Sequence, residues 1–171
     1  EINPLSLCED GRVVATDAVV KLDDHAEDRQ QELFDSPYTV PSDAWRPPTP
    51  LERELHEADG RVGRRRAIRF LELDGDIGNC ITGGGGSLMA MDVFDAFGGR
   101  PATYMDITPS QDPAKYELAT LAALKAGVKG LIFGGNILSL AKPDIKARGL
   151  VDGLQRAGVD PQEFPVVVRV A

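Results

Sequence analysis

Strand-forming residues flank a short polar stretch at the start of the chain. Leu5, Cys8, Val13, Val14, Val19 and Val20 lie around Glu9-Asp10-Gly11, and residues 1–20 are predicted to form a β-hairpin. A glycine closing a three-residue loop fits a type I turn with a G1 bulge. Counting outward, Cys8 faces Arg12 and residue i pairs with 20 − i, which sets Asn3 opposite Asp17 and Glu1 opposite Val19. Side chains alternate between faces along a strand, so Glu1, Asn3 and Asp17 share one face.

Residues 24–34 are predicted to be helical, with Asp23 or Asp24 as N-cap. Pro37, Pro41, Pro47, Pro48 and Pro50 then mark an extended linker. Within it a short helix is expected over Leu51–Ala58, capped by Thr49 and opened by Pro50. From residue 67 the rhythm becomes regular. Strands are expected at Ala67–Leu73, Asn79–Thr82, Ala102–Ile107, Lys129–Phe133 and Val166–Val170. Helices are expected at Ser87–Phe97, Ala114–Ala126 and Pro143–Ala157, each stopped by glycine. Strands alternating with helices imply βαβ units and a doubly wound parallel sheet of α/β class. The last strand, apolar except for Arg169, suits burial on both faces.

Composition narrows the functional classes. The 171 residues carry 19 Lys+Arg against 27 Asp+Glu, a net charge of −8. Nucleic acid and anionic membranes need clustered positive charge, so neither is expected as a partner. No apolar run is long enough to span a bilayer. Two cysteines, Cys8 and Cys80, make no disulfide framework and suit a reducing compartment. The start, Glu1-Ile-Asn-Pro-Leu5, has neither Met nor a targeting segment and reads as an opening inside a fold.

Three constellations could carry chemistry. Glu1, Asn3 and Asp17 offer hard oxygens of the kind Mg²⁺ takes, or form a solvated polar face. Gly83-Gly84-Gly85-Gly86, between a strand and a helix, lets backbone N–H groups approach an anion, or makes a tight turn. Asp106 stands where a dinucleotide fold has its ribose-binding acid, but the glycine fingerprint fails because its third glycine falls on Leu88. Phe133-Gly134-Gly135-Asn136 is a second glycine-rich strand end before a helix, and open α/β sheets bind ligands at such ends. Elsewhere the reading is structural. His25, His56 and Arg64–Arg66 belong to the surface or a domain junction, Trp45 pins the linker, and Ser87 caps a helix because it lacks a nucleophile-elbow context.

Motifs spread along the chain resemble one family in its own order. They are Glu1-Ile-Asn-Pro-Leu5 with Asp17, Leu22-Asp-Asp-His-Ala26 with Arg29-Gln30, Leu73-Asp-Gly-Asp-Ile-Gly78 and Met91-Asp92. Gly98-Gly-Arg-Pro-Ala102, Ile132-Phe-Gly-Gly135 and Pro165-Val-Val-Val-Arg169 complete the set. Together they resemble the C-terminal part of the β subunit of succinyl-CoA synthetase, within the ATP-grasp acid–CoA ligase superfamily that includes ATP-citrate lyase. The resemblance implies that residues 1–34 are the closing hairpin and helix of an ATP-grasp domain, 35–66 a linker, and 67–171 a flavodoxin-like CoA-ligase domain.

What the resemblance implies for the site follows residue by residue. Asn3 and Asp17 would be Mg²⁺ ligands, and Glu1 an acidic catalytic neighbour of the phosphates. Thr82, Gly83 and Gly84 fall at the substrate contact, and Gly135, Asn136 and Ile137 where carboxylate and phosphate bind. The cofactors would be Mg²⁺, ATP or GTP, and CoA. The partner would be a CoA-binding α subunit, or a fused equivalent, bearing a phosphohistidine that neither His25 nor His56 matches. The chain alone would be inactive, and the parent cytoplasmic or in the mitochondrial matrix.

Three departures touch the substrate. The family's Asn-Gly-Ala-Gly is Thr82-Gly-Gly-Gly85 here, and Thr108-Pro-Ser-Gln111 replaces a glycine-rich run. Gly134-Gly135 also stands about one turn further from the next helical glycine, Gly149. Succinate is the expected carboxylate and citrate the alternative; a non-catalytic module that binds the α subunit is the reading from another class.

Overall fold

A computed structural model describes the chain except residues 1, 3, 19–28, 36–45, 64–66, 136–139, 161 and 170–171. The chain divides into two compact units, Glu1–Ala44 and Trp45–Ala171.

The first unit holds the hairpin. β1 (Leu5–Leu7) and β2 (Val13–Ala15) pair antiparallel as Leu5↔Ala15, Ser6↔Val14 and Leu7↔Val13, the register expected from the loop. Cys8 N donates to Arg12 O at 2.9 Å, and Gly11 has φ 83, the left-handed conformation that glycine adopts without strain. Thr16 extends the pairing, with its N and Oγ1 both donating to Pro4 O. Of the helix expected over 24–34, α1 (Gln31–Phe34) is the part within the described residues.

The second unit opens with α2 (Pro50–Asp59). Its N-terminus is a full capping box: Thr49 Oγ1 accepts from Glu52 N, and the Glu52 carboxylate accepts from Thr49 N at 2.8 Å. Residues 50–59, read from sequence as a helix inside the linker, therefore belong to the packed core of this unit. Leu55 is buried there. Asp59, fully buried, receives Lys115 Nζ at 2.6 Å and Ala67 N at 2.8 Å, tying α2 to the next strand and to a later helix.

Five strands follow: β3 (Ile68–Glu72), β4 (Ile77–Thr82), β5 (Thr103–Ile107), β6 (Gly130–Gly135) and β7 (Val166–Arg169). β4, β6 and β7 pair parallel, in that order. β5 lies beside β4 through an Ile77↔Pro101 bridge and the Asn79 N to Thr103 Oγ1 bond. The α/β class and its parallel sheet are present, but β3 departs from the all-parallel expectation by running antiparallel to β5. The physical reason is the short connection. A parallel crossover needs a dozen or more residues, and only Leu73–Asp76 separates β3 from β4. That connection hugs the start of β5: Leu73 N donates to Ala102 O, and Asp76 N to Arg100 O. A methyl on Gly75 would lie 2.3 Å from Arg100 O, so only glycine fits.

Three helices cover the sheet: α3 (Gly84–Ala96), α4 (Pro113–Lys125) and α5 (Pro143–Arg156). Adjacent strand residues point to opposite faces. Asn79 Nδ2 meets Met91 of α3, while Cys80 Sγ meets Ala119 of α4, so the helices form a layer on each side. The core is Phe70, Cys80, Met105, Ile107, Leu131 and Phe133, with Tyr116 packed edge-on against Phe133 at 6.5 Å. α5 packs against α4 through two glycines. A methyl on Gly149 would lie 2.3 Å from Pro113 O, and one on Gly153 2.7 Å from Thr120 Cβ.

Two details differ from sequence expectation. α3 begins at Gly84, so Ser87 is inside the helix and does not cap it; its hydroxyl donates to Met105 O and ties α3 to β5. β7 is the outer strand of its sheet, and Val167 and Val168 are exposed, so its apolar run does not mean burial on both faces. Among the described residues no helix is long and apolar enough to cross a membrane.

Candidate functional site

Two glycine-rich strand ends meet at one edge of the sheet. β4 and β6 are parallel neighbours that terminate together, with Thr82 opposite Gly135. Thr82 is two residues beyond Cys80, so its side chain shares the α4 and α5 face. Gly135 has no side chain on that face. A methyl built on it would stand 2.4 Å from Thr82 Oγ1 and 2.7 Å from Lys146 Nζ, so both polar atoms pack close against Gly135 and only glycine fits without a shift.

Lys146 is placed by helix packing. It lies three and seven residues before Gly149 and Gly153, on the same helical face, and those glycines draw α5 against α4. The side chain is fully buried, and Nζ has no hydrogen-bond partner among the described residues. Burial pushes its ammonium below the usual lysine range. One other buried side-chain atom among the described residues lacks a partner, Asn79 Oδ1, which is on the α3 side of the sheet. Lys146 carried no motif signal in the sequence. The small residues at 149 and 153, in phase with 146, are the feature that could have found it.

The glycine tract is partly explained by geometry. Gly83 has φ 91 and is the N-cap of α3, a conformation that favours glycine. A methyl on Gly84 would lie 2.9 Å from Asp106 Oδ2. Asp106 therefore stands against the first turn of α3, where a carboxylate favours the helix dipole. No side chain caps α3 or α5.

In the hairpin unit, Asp17 is exposed. Its Oδ1 accepts from Ala18 N at 2.7 Å, and Oδ2 has no donor among the described residues. An accessible carboxylate oxygen is the donor chemistry Mg²⁺ takes. Glu1, Asn3, Asn136 and Ile137, all expected site residues, lie outside the described residues, as do His25, Trp45 and Arg64–Arg66. His56 is exposed on the last turn of α2. Cys80 is a buried free thiol whose pKa burial pushes up, which keeps it unreactive. No group of three or more His, Cys, Asp or Glu suited to a metal occurs among the described residues.

The sequence is similar from end to end to proteins of one kind. It is 33% identical to the β subunit of an ADP-forming succinate–CoA ligase from Rubrobacter xylanophilus, over 99% of this chain and 40% of that protein. It is also 33% identical to the mitochondrial β subunit of a GDP-forming succinate–CoA ligase from Dictyostelium discoideum, over 99% of this chain and 36% of the relative. The chain is a relative of the succinate–CoA ligase β subunits. It spans about 40% of the length of the curated relatives it matches. Among solved structures it resembles a Methanosaeta concilii ATP citrate lyase in complex with (3S)-citryl-CoA, with a TM-score of 0.70 and 25% identity over 99% of this chain and 44% of that one. No protein-family model matches the chain. The fold of the chain thus recurs in a solved ATP citrate lyase.

Proposed function

We propose that the chain is the C-terminal part of the β-type subunit of a nucleoside-triphosphate-dependent carboxylate–CoA ligase. Residues 1–34 close an ATP-grasp domain, and residues 67–171 hold the carboxylate and phosphate at the ends of β4 and β6. The observation that carries this reading is the convergence of Thr82 and Gly135 at paired strand ends, in a chain similar throughout to succinate–CoA ligase β subunits.

In this reading a histidine of the partner α subunit is phosphorylated, the phosphoryl group passes to the carboxylate, and the CoA thiol displaces phosphate. The chain's own part is positioning. Thr82 offers its hydroxyl to the substrate, and Gly135, without a side chain, lets that hydroxyl stand at the paired strand end. The uncapped first turn of α5 presents N–H groups and the positive end of the helix dipole to an anion. Asn136 and Ile137 follow Gly135 in sequence and would add to the phosphate contacts. Asn3 and Asp17 would hold Mg²⁺, with Glu1 beside them, and the metal would neutralise charge on the transferred phosphoryl group. Neither His25 nor His56 is in the family's motif, so in this reading the phosphohistidine belongs to a partner α subunit or a fused equivalent, without which the chain would not turn over.

Succinate is the first substrate, on the identity of the relatives. Citrate is the second, supported by the Gly83-Gly84-Gly85 run and the likeness to ATP citrate lyase. ADP release by the full-length protein with its partner, assayed with CoA and succinate, malate or citrate, decides between them. Release that no carboxylate stimulates would refute the ligase reading.

A further inference from the structure

Lys146 is a costly residue where it stands. Its ammonium is fully buried and has no hydrogen-bond partner among the described residues. It also occupies the fourth position of α5, near the positive end of the helix dipole, where a cation is unfavourable. A lysine retained purely for packing would not need its nitrogen there, since methionine fills a similar volume with no charge to desolvate. An anion at the ends of β4 and β6 relieves the burial, the missing partner and the dipole together. Nζ and Thr82 Oγ1 both lie against Gly135 at the paired strand ends, so an oxyanion bound at that edge would have a cation and a hydroxyl at hand.

We propose that Lys146 is the charged ligand contact of this site, its ammonium binding an anionic oxygen of the carboxylate or phosphate held beside Thr82 and Gly135. The inference rests on the reading of the strand ends as an anion site. It adds a side-chain cation to the strand-end site proposed for Thr82 and Gly135. Carboxylate and phosphate share the oxyanion chemistry, and the occupant is found by comparing them.

The test is calorimetric titration of succinate, citrate and inorganic phosphate into the 171-residue chain and into K146M, K146R and T82V. At least one oxyanion binds the wild type, K146M weakens it tenfold or more, and K146R retains most of it. Without ligand, K146M melts no lower than wild type, because the substitution removes a desolvated charge. The anion that loses most affinity in K146M identifies the occupant. If T82V weakens binding while K146M leaves it unchanged, the site stands and the assignment to Lys146 falls. If no oxyanion binds the wild type, the strand-end site falls with it. A measurement that needs no variant is the ¹³Cε resonance of Lys146, which shifts on saturation with the tightest anion; an unmoved resonance overturns the proposal.

Discussion

Thr82 and Gly135 are direct partners across the parallel sheet, and each is the last residue of its strand. The pairing sets a hydroxyl beside a position with no side chain, and Lys146 Nζ packs against the same position. A side chain at residue 135 would push both polar atoms aside. G135A is therefore expected to weaken oxyanion binding at least tenfold in the chain. Its melting temperature should fall only slightly, because the atoms nearest the new methyl are the movable ends of Thr82 and Lys146. Equilibrium titration alongside thermal melting checks both halves.

The close approach of α5 to α4 is what buries Lys146. A methyl on Gly149 would meet backbone at Pro113 O and side chain at Tyr116 Cβ, neither of which can rotate away. G149A is expected to cost about 1–3 kcal/mol through overpacking, measured by urea denaturation. It should also weaken oxyanion binding, because α5 must move to relieve the clash.

The buried pair of Asp59 and Lys115 is expected to hold α2 on the sheet. Both side chains are almost fully buried, with Lys115 Nζ 2.6 Å from Asp59 Oδ1. K115M should cost roughly 3–5 kcal/mol, because it strands a carboxylate in the interior. D59N/K115M should recover part of that loss, since the asparagine oxygen can still accept from Ala67 N. Denaturation midpoints of the single and double variants test this.

Stability should also fall in acid through Glu52. Burial raises its carboxyl pKa. The Arg46 guanidinium and the N–H groups of Glu72 and Thr49 outweigh that and leave it below the ordinary 4.5. A carboxyl depressed in the folded state stabilises fully above its unfolded value, and the contribution is lost as pH falls through the folded one. The melting temperature of E52Q should lie below wild type at pH 7, and the gap should close as pH drops beneath 4.5. A gap independent of pH would contradict it.

In the complete protein with its partner, D17A should abolish phosphohistidine formation from nucleoside triphosphate, because the exposed carboxylate is the proposed Mg²⁺ ligand. Undiminished labelling would refute that role.

Much of this architecture was legible in the residues, for local reasons. The Glu9-Asp10-Gly11 loop determines the hairpin register, because a three-residue turn closed by glycine allows one pairing. Thr49-Pro50 and Glu52 announce α2 through capping chemistry that depends on neighbours only. Direction and burial were less legible. Nothing in Ile68–Glu72 states that it runs antiparallel to β5, because that follows from the short reach to β4 and a pairing partner about 35 residues away. β7 reads as buried because apolar runs do so when both neighbours are present, yet it has β6 on one side only. At the site, the glycines at 83, 84 and 135 were visible as strand-end motifs. Lys146 was not, because its burial is a consequence of α5 packing on α4 at Gly149 and Gly153.

The paired ends of β4 and β6 are proposed to hold the carboxylate of an acid–CoA ligase. The decisive experiment loads the complete protein and its partner with labelled phosphohistidine and chases with CoA plus succinate or citrate. One of these acids should discharge the label rapidly in wild type, and T82V, equally labelled, should discharge it at least tenfold more slowly. Discharge by T82V at the wild-type rate across all acid concentrations would contradict it.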